Sequence, residues 1–507
     1  MTPSEETVPT SLSSKKHFGN VAAISVFSFI GIVYLFTLVT LYPNMPITTR
    51  NAEDIPTFME IYPPFRMDEV NYYTMAQNII NGNPYEDGSI EMNFSIGFSI
   101  AAVPFIVIWD KLGGYIANVV IVWFSLLIFF LIARRYVSLL KSLLMTLLLA
   151  FATLNWFYAV SCYSEPLSQL LILLGFYFLT WDKTSKKLNL ALFAAGALLG
   201  LNIFIRPYSI LIVIPFFLLS WIEHNKKFTF NNRAFWFAGG ITLICILWLI
   251  RNQIFFGDPL SFEYTRMVGR MTGDASIKHY SGNFFWGIHQ LLFDQFHGLF
   301  TITPILLLFP AGLHKMWHHK MKQESLMLLC AALIIVIFVA FSPYPFTEFG
   351  LGSRHMVPIL PLLFLPLIFF IDGTLFTNII ITLLALYSFY HSGLGWFTGT
   401  ADYIGERGIF VGLLHQRTSQ AIILARKNIL PKREFTSEQE LIDTFYEARK
   451  KCDMMKFFQT LHPEVIVNIR GNEQAFTNFI RTHPNVKSLI ISVDTEKGIL
   501  LKKITFR

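Results

Sequence analysis

Long apolar runs alternate with short polar breaks along the first three-quarters of the chain, and the run length is set by a bilayer and not by a soluble core. Eleven such runs, at about 18–42, 115–133, 138–158, 166–182, 188–205, 208–222, 234–250, 299–313, 325–342, 355–371 and 374–391, come close to the roughly 20 residues that cross a hydrocarbon layer. They predict a mainly α, polytopic bundle of about eleven transmembrane helices. The first run follows Ser13–His17 with Lys15-Lys16 and lacks the small-residue cleavage site of a signal peptide, so it is expected to remain as an anchor.

Residues 94–110 break the series. This segment is short, holds Gly97, Pro104 and the polar Ser95 and Ser99, and ends on Asp110-Lys111-Leu112-Gly113-Gly114. Lys/Arg-rich loops collect on the cytoplasmic side of membrane proteins, and that bias tests whether the segment crosses. The basic loops are Arg134-Arg135 with Lys141, Lys183 with Lys186-Lys187, Lys226-Lys227 with Arg233, and Lys315 with Lys320 and Lys322. All four share a side only if 94–110 dips into the interface without spanning. The amino end is then inside and the carboxyl end outside, and the outer face receives two long loops, 43–114 and 251–298, and two short ones, at 163–165 and 343–354.

Beyond residue 391 the pattern becomes that of a small soluble α/β domain, which divides the chain into 1–391 and 392–507. Ser437-x-x-Glu440 is a capping box opening a helix to about Leu461; strand, helix and hairpin patterns follow at 465–469, 474–481 and 489–506, the last turning at Gly498. The basic stretch Arg426-Lys427 with Lys432-Arg433 suits an interfacial anchor.

Composition agrees with the membrane class: 53% hydrophobic, 14% charged, 51 phenylalanines and a mean hydropathy of +0.50. The net charge of +7 is accounted for by loop topology, which removes nucleic acid as a partner. The four cysteines, Cys162, Cys245, Cys330 and Cys452, are scattered and form neither a disulfide framework nor a zinc spacing.

The polar residues that carry chemistry crowd toward the outer loops. Asp68-Glu69 lies in the first of these, in the run Arg66-Met67-Asp68-Glu69-Val70-Asn71-Tyr72-Tyr73, where an enzyme acting on a lipid-linked substrate would place a base. Asp68 equally begins a helix running to Asn81 and stopped by Gly82, where it would serve the cap or the dipole. Glu69 either orients that site or pairs with Arg66. Glu165 at a span start is either functional or ordinary dipole chemistry, and Arg206 and Arg354, each at an outer span end, either clamp a phosphate or snorkel to headgroups. His355 and Glu348 are secondary candidates, and Asp258 in Phe256-Gly257-Asp258-Pro259 reads best as a solvated turn. His314, His318 and His319 contain an i, i+4 pair but sit in a basic cytoplasmic loop, so no metal site is expected. Asn93-Phe94-Ser95 matches a glycosylation triplet by form alone.

Several motifs together resemble the GT-C superfamily of integral-membrane glycosyltransferases over residues 18–372. They are Asp68-Glu69-x-x-Tyr72-Tyr73-x-x-Ala76-x-x-Ile79-Ile80-x-Gly82-Asn83-Pro84, Ser95-Ile96-Gly97-Phe98, Tyr163-Ser164-Glu165-Pro166, and Gly352-Ser353-Arg354-His355 before Pro358-Ile359-Leu360-Pro361. The resemblance is to the branch holding protein O-mannosyltransferases and lipid A aminoarabinose transferases. It implies a catalytic acidic residue in the first outer loop, here Asp68, membrane-parallel helices in that loop, and a polyprenyl-phosphate sugar as co-substrate with no other cofactor. It places Tyr72 and Glu165 in family motifs and likens the loop around Glu263-Tyr264 to one that lines the acceptor cleft. The implied setting is a bacterial inner membrane with the site facing away from the cytoplasm, and the implied acceptor is a glycan, lipid or protein.

A departing polyprenyl phosphate is a stable anion that needs positive charge and no general acid, whereas the acceptor hydroxyl needs a base. One carboxylate suffices, and direct displacement inverts the anomeric centre. Metal-using relatives that transfer oligosaccharides carry Asp-x-Asp; this loop has adjacent pairs, Glu53-Asp54, Asp68-Glu69 and Glu86-Asp87, so transfer of a single sugar without metal is expected. The competing readings are a transporter or flippase of a lipid-linked solute, which would carry ionisable residues mid-span, and a noncatalytic GT-C scaffold.

Overall fold

The computed structural model describes residues 10–41, 67–82, 94–181, 187–222, 232–261, 283–294, 298–342, 352–370, 374–398, 437, 439–440, 443–444, 489–493 and 501–506. The chain divides into two compact units, Met1–Thr40 with Met67–Ala401, and Leu41–Arg66 with Asp402–Arg507.

The described part of the first unit is nearly all helix. Helices α1 (Thr10–Leu41), α4 (Lys111–Ala133), α10 (Asn232–Phe256), α14 (Lys322–Ala340) and α16 (Leu375–Thr398) each contain a segment long and apolar enough to cross a membrane. Between them run α5 (Leu139–Phe151), α6 (Asn155–Ala159), α7 (Glu165–Leu179), α8 (Leu188–Gly200) and α9 (Val213–Ile222). After α10 come α11 (Phe284–Leu292), α12 (Leu299–Ile302), α13 (Phe309–His318) and α15 (Leu360–Phe364).

Several predicted spans are broken where proline removes an N–H donor. Residues 354–369, with Pro358, Pro361 and Pro366, run as a 3-10 turn, the short α15, and a second 3-10 turn. Because 3-10 helix rises about 2.0 Å per residue against about 1.5 Å for α-helix, the segment reaches roughly 30 Å with few residues. Pro207 acts similarly: it holds Arg206 extended (φ −141°, ψ 91°) and opens a 3-10 turn, Pro207–Ile212, before α9.

The first loop contributes α2 (Met67–Ile80) and α3 (Gly97–Trp109). Gly82, with φ of +81°, ends α2, its amide donating to the Ile79 carbonyl at 3.1 Å. At 13 residues α3 is about 20 Å long, short of the hydrocarbon thickness, and it folds straight back onto α4. Asp110 makes that reversal with a φ of +49°, and Gly113 allows it, because a methyl there would overlap the Phe105 carbonyl. Tyr73 donates to Asp110, and the Ser99 hydroxyl donates to the Tyr72 carbonyl at 2.9 Å, so α2 is bolted to this hairpin.

Elsewhere glycine sets how closely helices approach. Gly196 on α8 faces the Phe237 carbonyl of α10, and Gly240 on α10 faces the Phe193 carbonyl of α8, each too near for a methyl. Small residues allow such backbone-to-backbone packing in lipid, where apolar side chains gain little by leaving the bilayer.

In the second unit β1 (Leu489–Val493) pairs antiparallel with β2 (Leu501–Phe506), Leu489 opposite Phe506, with a register break between Ser492 and Val493. The Ser437 hydroxyl accepts from the Glu440 amide at 3.2 Å, as a capping box requires. The strand at 465–469 and helix at 474–481 expected from the sequence lie outside the described residues. The last helix of the first unit continues to Thr398, past the division read from composition.

Gly196→Val is expected to lower stability by about 1–3 kcal/mol through overpacking. Gly239→Ala, whose new methyl meets Phe193 at 3.8 Å, is expected to be neutral or slightly stabilising. Thermal unfolding in detergent, comparing the two, is the check.

Candidate active site

The site is assembled around the turn that precedes α7. This turn, residues 160–164, is held from two helices at once. Asn118 on α4 donates to the carbonyls of Ser161 and Tyr163 at 2.7 and 2.8 Å. Glu69 on α2, fully buried, accepts from the Cys162 amide at 2.9 Å through one oxygen and from the Tyr115 hydroxyl at 3.4 Å through the other. Burial, aided by the Glu69 charge, pushes the Cys162 thiol up, so Cys162 is a neutral packing residue. Glu69 therefore ties the start of α2 to the start of α7.

Four charged side chains meet above that turn. Arg206 donates through Nη2 to Glu165 Oε1 and through Nε to the Ser164 hydroxyl at 3.0 Å. Arg354 lies 3.2 Å from the same Glu165 oxygen through Nε and 2.5 Å from Asp68 Oδ2 through Nη2. Its guanidinium carbon sits 5.2 Å from the centre of the Tyr163 ring, a cation–π contact. The Tyr72 and Ser164 hydroxyls are hydrogen-bonded at 2.8 Å; burial pushes the Tyr72 phenol well up, so it remains protonated and available to donate.

Local sequence explains how the arginines reach this point. The extended conformation imposed by Pro207 turns Arg206 away from helical continuation, and its amide donates to the Asn202 carbonyl at 2.7 Å. The Ser168 hydroxyl donates to Asn202 Oδ1 at 2.5 Å, linking that anchor to α7. Arg354 follows Gly352, whose φ of +64° favours glycine, and the Ser353 hydroxyl donates to the Leu291 carbonyl.

Two guanidiniums and two carboxylates make the cluster neutral, which is the condition for burying charge. The side chains of Glu165, Arg206 and Arg354 are 0%, 4% and 9% exposed, whereas Asp68 is 25% exposed. Asp68 is thus the accessible member, and Arg354 joins it to the buried interior. Glu165 Oε2 is buried with no hydrogen-bond partner among the described residues.

Of the residues singled out in the sequence, Asp68, Tyr72, Glu165, Arg206 and Arg354 converge here, and Glu69 holds the turn beneath them. His355 points elsewhere, its Nδ1 lying 3.4 Å from the Tyr208 hydroxyl. Tyr264 and Glu348 lie outside the described residues. Asp258 accepts from the Leu260 amide at 3.0 Å, a turn contact. The His314 and His318 rings are 4.5 Å apart, and among the described residues no three His, Cys, Asp or Glu side chains gather to hold a metal ion. The sequence reading missed the supporting roles of Tyr115, Asn118, Tyr163 and Ser164. Only the last two carried a signal, as neighbours of Glu165 in a family motif.

Glu165→Ala, which leaves two buried arginines without their common partner, is expected to cost about 3–5 kcal/mol. Asp68→Ala, removing the most exposed of the four, is expected to cost clearly less. Melting curves of the two variants side by side test this ordering.

The fold has counterparts among solved structures. Two crystal structures of ArnT from Cupriavidus metallidurans, one in the apo state and one bound to undecaprenyl phosphate, superpose with a TM-score of 0.52, at 11% and 12% identity, covering 91% of this chain and 77% of theirs. No protein-family model and no curated protein sequence matches the chain. The likeness is one of fold.

Proposed function

We propose that this protein is a membrane glycosyltransferase that moves a single sugar from a polyprenyl-phosphate donor to an acceptor hydroxyl, with inversion, on the extracytoplasmic side. The observation that carries this reading is Arg354 bridging the accessible Asp68 and the buried Glu165, with Arg206 on the far side of Glu165. The ArnT structure bound to undecaprenyl phosphate supports a lipid phosphate as ligand for this fold.

In the proposed reaction the donor phosphate lies against Arg354 and Arg206, whose planar donors suit an anionic oxygen pair. The acceptor oxygen attacks the anomeric carbon from the face opposite the phosphate. The bond between that carbon and the phosphate oxygen breaks, its electron pair leaving with the polyprenyl phosphate, and the hydroxyl proton passes to Asp68. The arginines stabilise the charge growing on the leaving group, and the protonated Tyr72 is placed to donate to a donor oxygen.

The resting ion pair has a consequence for order. Asp68 and the donor phosphate are both anions that call on Arg354, so phosphate binding displaces Asp68 from it. The carboxylate is then free to act as base only once donor is seated.

Asp68→Asn is expected to keep the fold and to lower transfer by about 10²–10⁴-fold, the usual contribution of a general base, while binding undecaprenyl phosphate more tightly than the parent. Arg354→Lys, losing the planar fork, is expected to weaken that binding about tenfold or more. Purified protein in vesicles, assayed by mass spectrometry of the lipid products and by binding of undecaprenyl phosphate, measures both. Undiminished activity in Asp68→Asn would overturn the catalytic role, and a solute flux unaffected by the substitution would point to a transporter.

A further inference from the structure

Helix α11 was not foreseen in the sequence, and its surface is unlike that of a soluble loop. Gly287 and Leu291 face inward, and the outward side carries Phe285 (81% exposed), Trp286 (42%) and, just past its end, Phe293 (53%). Gly287 packs so closely on the Ala340 carbonyl that a methyl would overlap it. The contact is with the last residue of α14.

That position fixes a depth. Helix α14 has 19 residues, about 28 Å at the α-helical rise, so its two ends sit near the two edges of the hydrocarbon layer. Its start carries Lys322 and Glu324, and its outward side shows Leu326, Leu329, Leu333, Ile337 and Phe341, all exposed and spaced three or four residues apart. This is one lipid-facing stripe, and it ends at Phe341, whose ring lies 5.1 Å from that of Phe284 on α11. The aromatic side of α11 continues the stripe at the bilayer edge, where amphipathic rings are favoured.

We infer that α11 rests Phe285 and Trp286 in the lipid headgroup boundary and so sets the depth of the arginine cluster against the membrane surface. The cluster is tied to this level twice. The Ser353 hydroxyl donates to the Leu291 carbonyl, next to Arg354. Tyr208 stacks on Phe338 with ring centres 6.1 Å apart and reaches the backbone oxygen of His355 at 3.3 Å. A phosphate carried on a membrane lipid has its headgroup at this height, so the inference deepens the proposed function and rests on it only for the identity of the ligand.

The test uses the full chain in phospholipid vesicles whose acyl chains are brominated near the headgroup or near the bilayer centre, with iodide as the aqueous quencher. Trp286→Phe removes one of ten tryptophans and is expected to lose part of the quenching by shallow bromine, with little change for deep bromine. Phe285→Trp is expected to gain quenching in the same pattern. Emission differences that respond to iodide alone, or to no quencher, would place these rings in water or against protein and overturn the inference. Either result leaves transferase activity to be judged by its own assay, so failure of one reading is distinguishable from failure of the other.

Discussion

Glu165 carries the site. Two guanidiniums reach its single Oε1, and each would otherwise be a buried cation repelling the other across a few ångströms. Moving an ion out of water costs several kcal/mol even after relaxation, and mutual repulsion in a poorly screened interior adds to it. A pair of arginines can be stored in an apolar bundle only if carboxylates neutralise them. The chain meets that condition with one carboxylate in the interior, Glu165, and one at the accessible edge, Asp68. The surrounding backbone serves this geometry. Pro207 aims Arg206, Gly352 turns the chain into Arg354, and Glu69 with Asn118 fixes the turn from which Glu165 projects.

Much of this was legible in the sequence, and the limits follow from the type of interaction. Hydropathy located the apolar helices because bilayer crossing demands length and composition, both of which are local. The failure of residues 94–110 to fit the loop charges set that segment apart, and α3 is a 13-residue helix doubling back on α4. Glu165, Arg206 and Arg354 could be picked out because a charge at the end of an apolar run is conspicuous, and Asp68 because it pairs with Glu69 in a polar outer loop. What could not be read was which of them touch. Asp68 and Arg354 are separated by most of the bundle in sequence, and Arg354 finds Asp68 only through the fold. Tyr115 and Asn118 gave no warning, since a polar residue inside a helical span is ordinary until its partner is known. Helix α11 escaped because its nine residues are fewer than the stretch over which a helical period can be read.

Spans broken by proline illustrate the same coupling of sequence and function. The 354–369 segment spends three prolines and forgoes regular α-helix. Arg354 stands at its first residue, where the first-turn N–H groups have no intrahelical acceptor and the chain can be steered by Gly352. A continuous α-helix through this region would cover the distance only with more residues, and would carry Arg354 to another height. Irregular backbone is tolerated at membrane depth where protein surrounds it, and here Met356, Val357 and Ile359 are fully buried.

With Asp68 as the base of the proposed reaction, its placement at the edge of the cluster resolves a conflict between stability and reaction. A base buried as deeply as Glu165 would be unable to meet an acceptor, and a base left alone in water would leave Arg354 uncompensated inside. Sharing Arg354 between Asp68 and Glu165 satisfies both demands, because the guanidinium offers donors in more than one direction. In the proposed reaction an arriving phosphate then exchanges one anion for another on Arg354, so the arginines stay compensated as donor binds while the Asp68 carboxylate is released toward the acceptor. The cost of donor binding is the loss of one partly exposed ion pair, the least expensive contact in the cluster to give up, and Glu165 keeps both arginines in place while that exchange occurs.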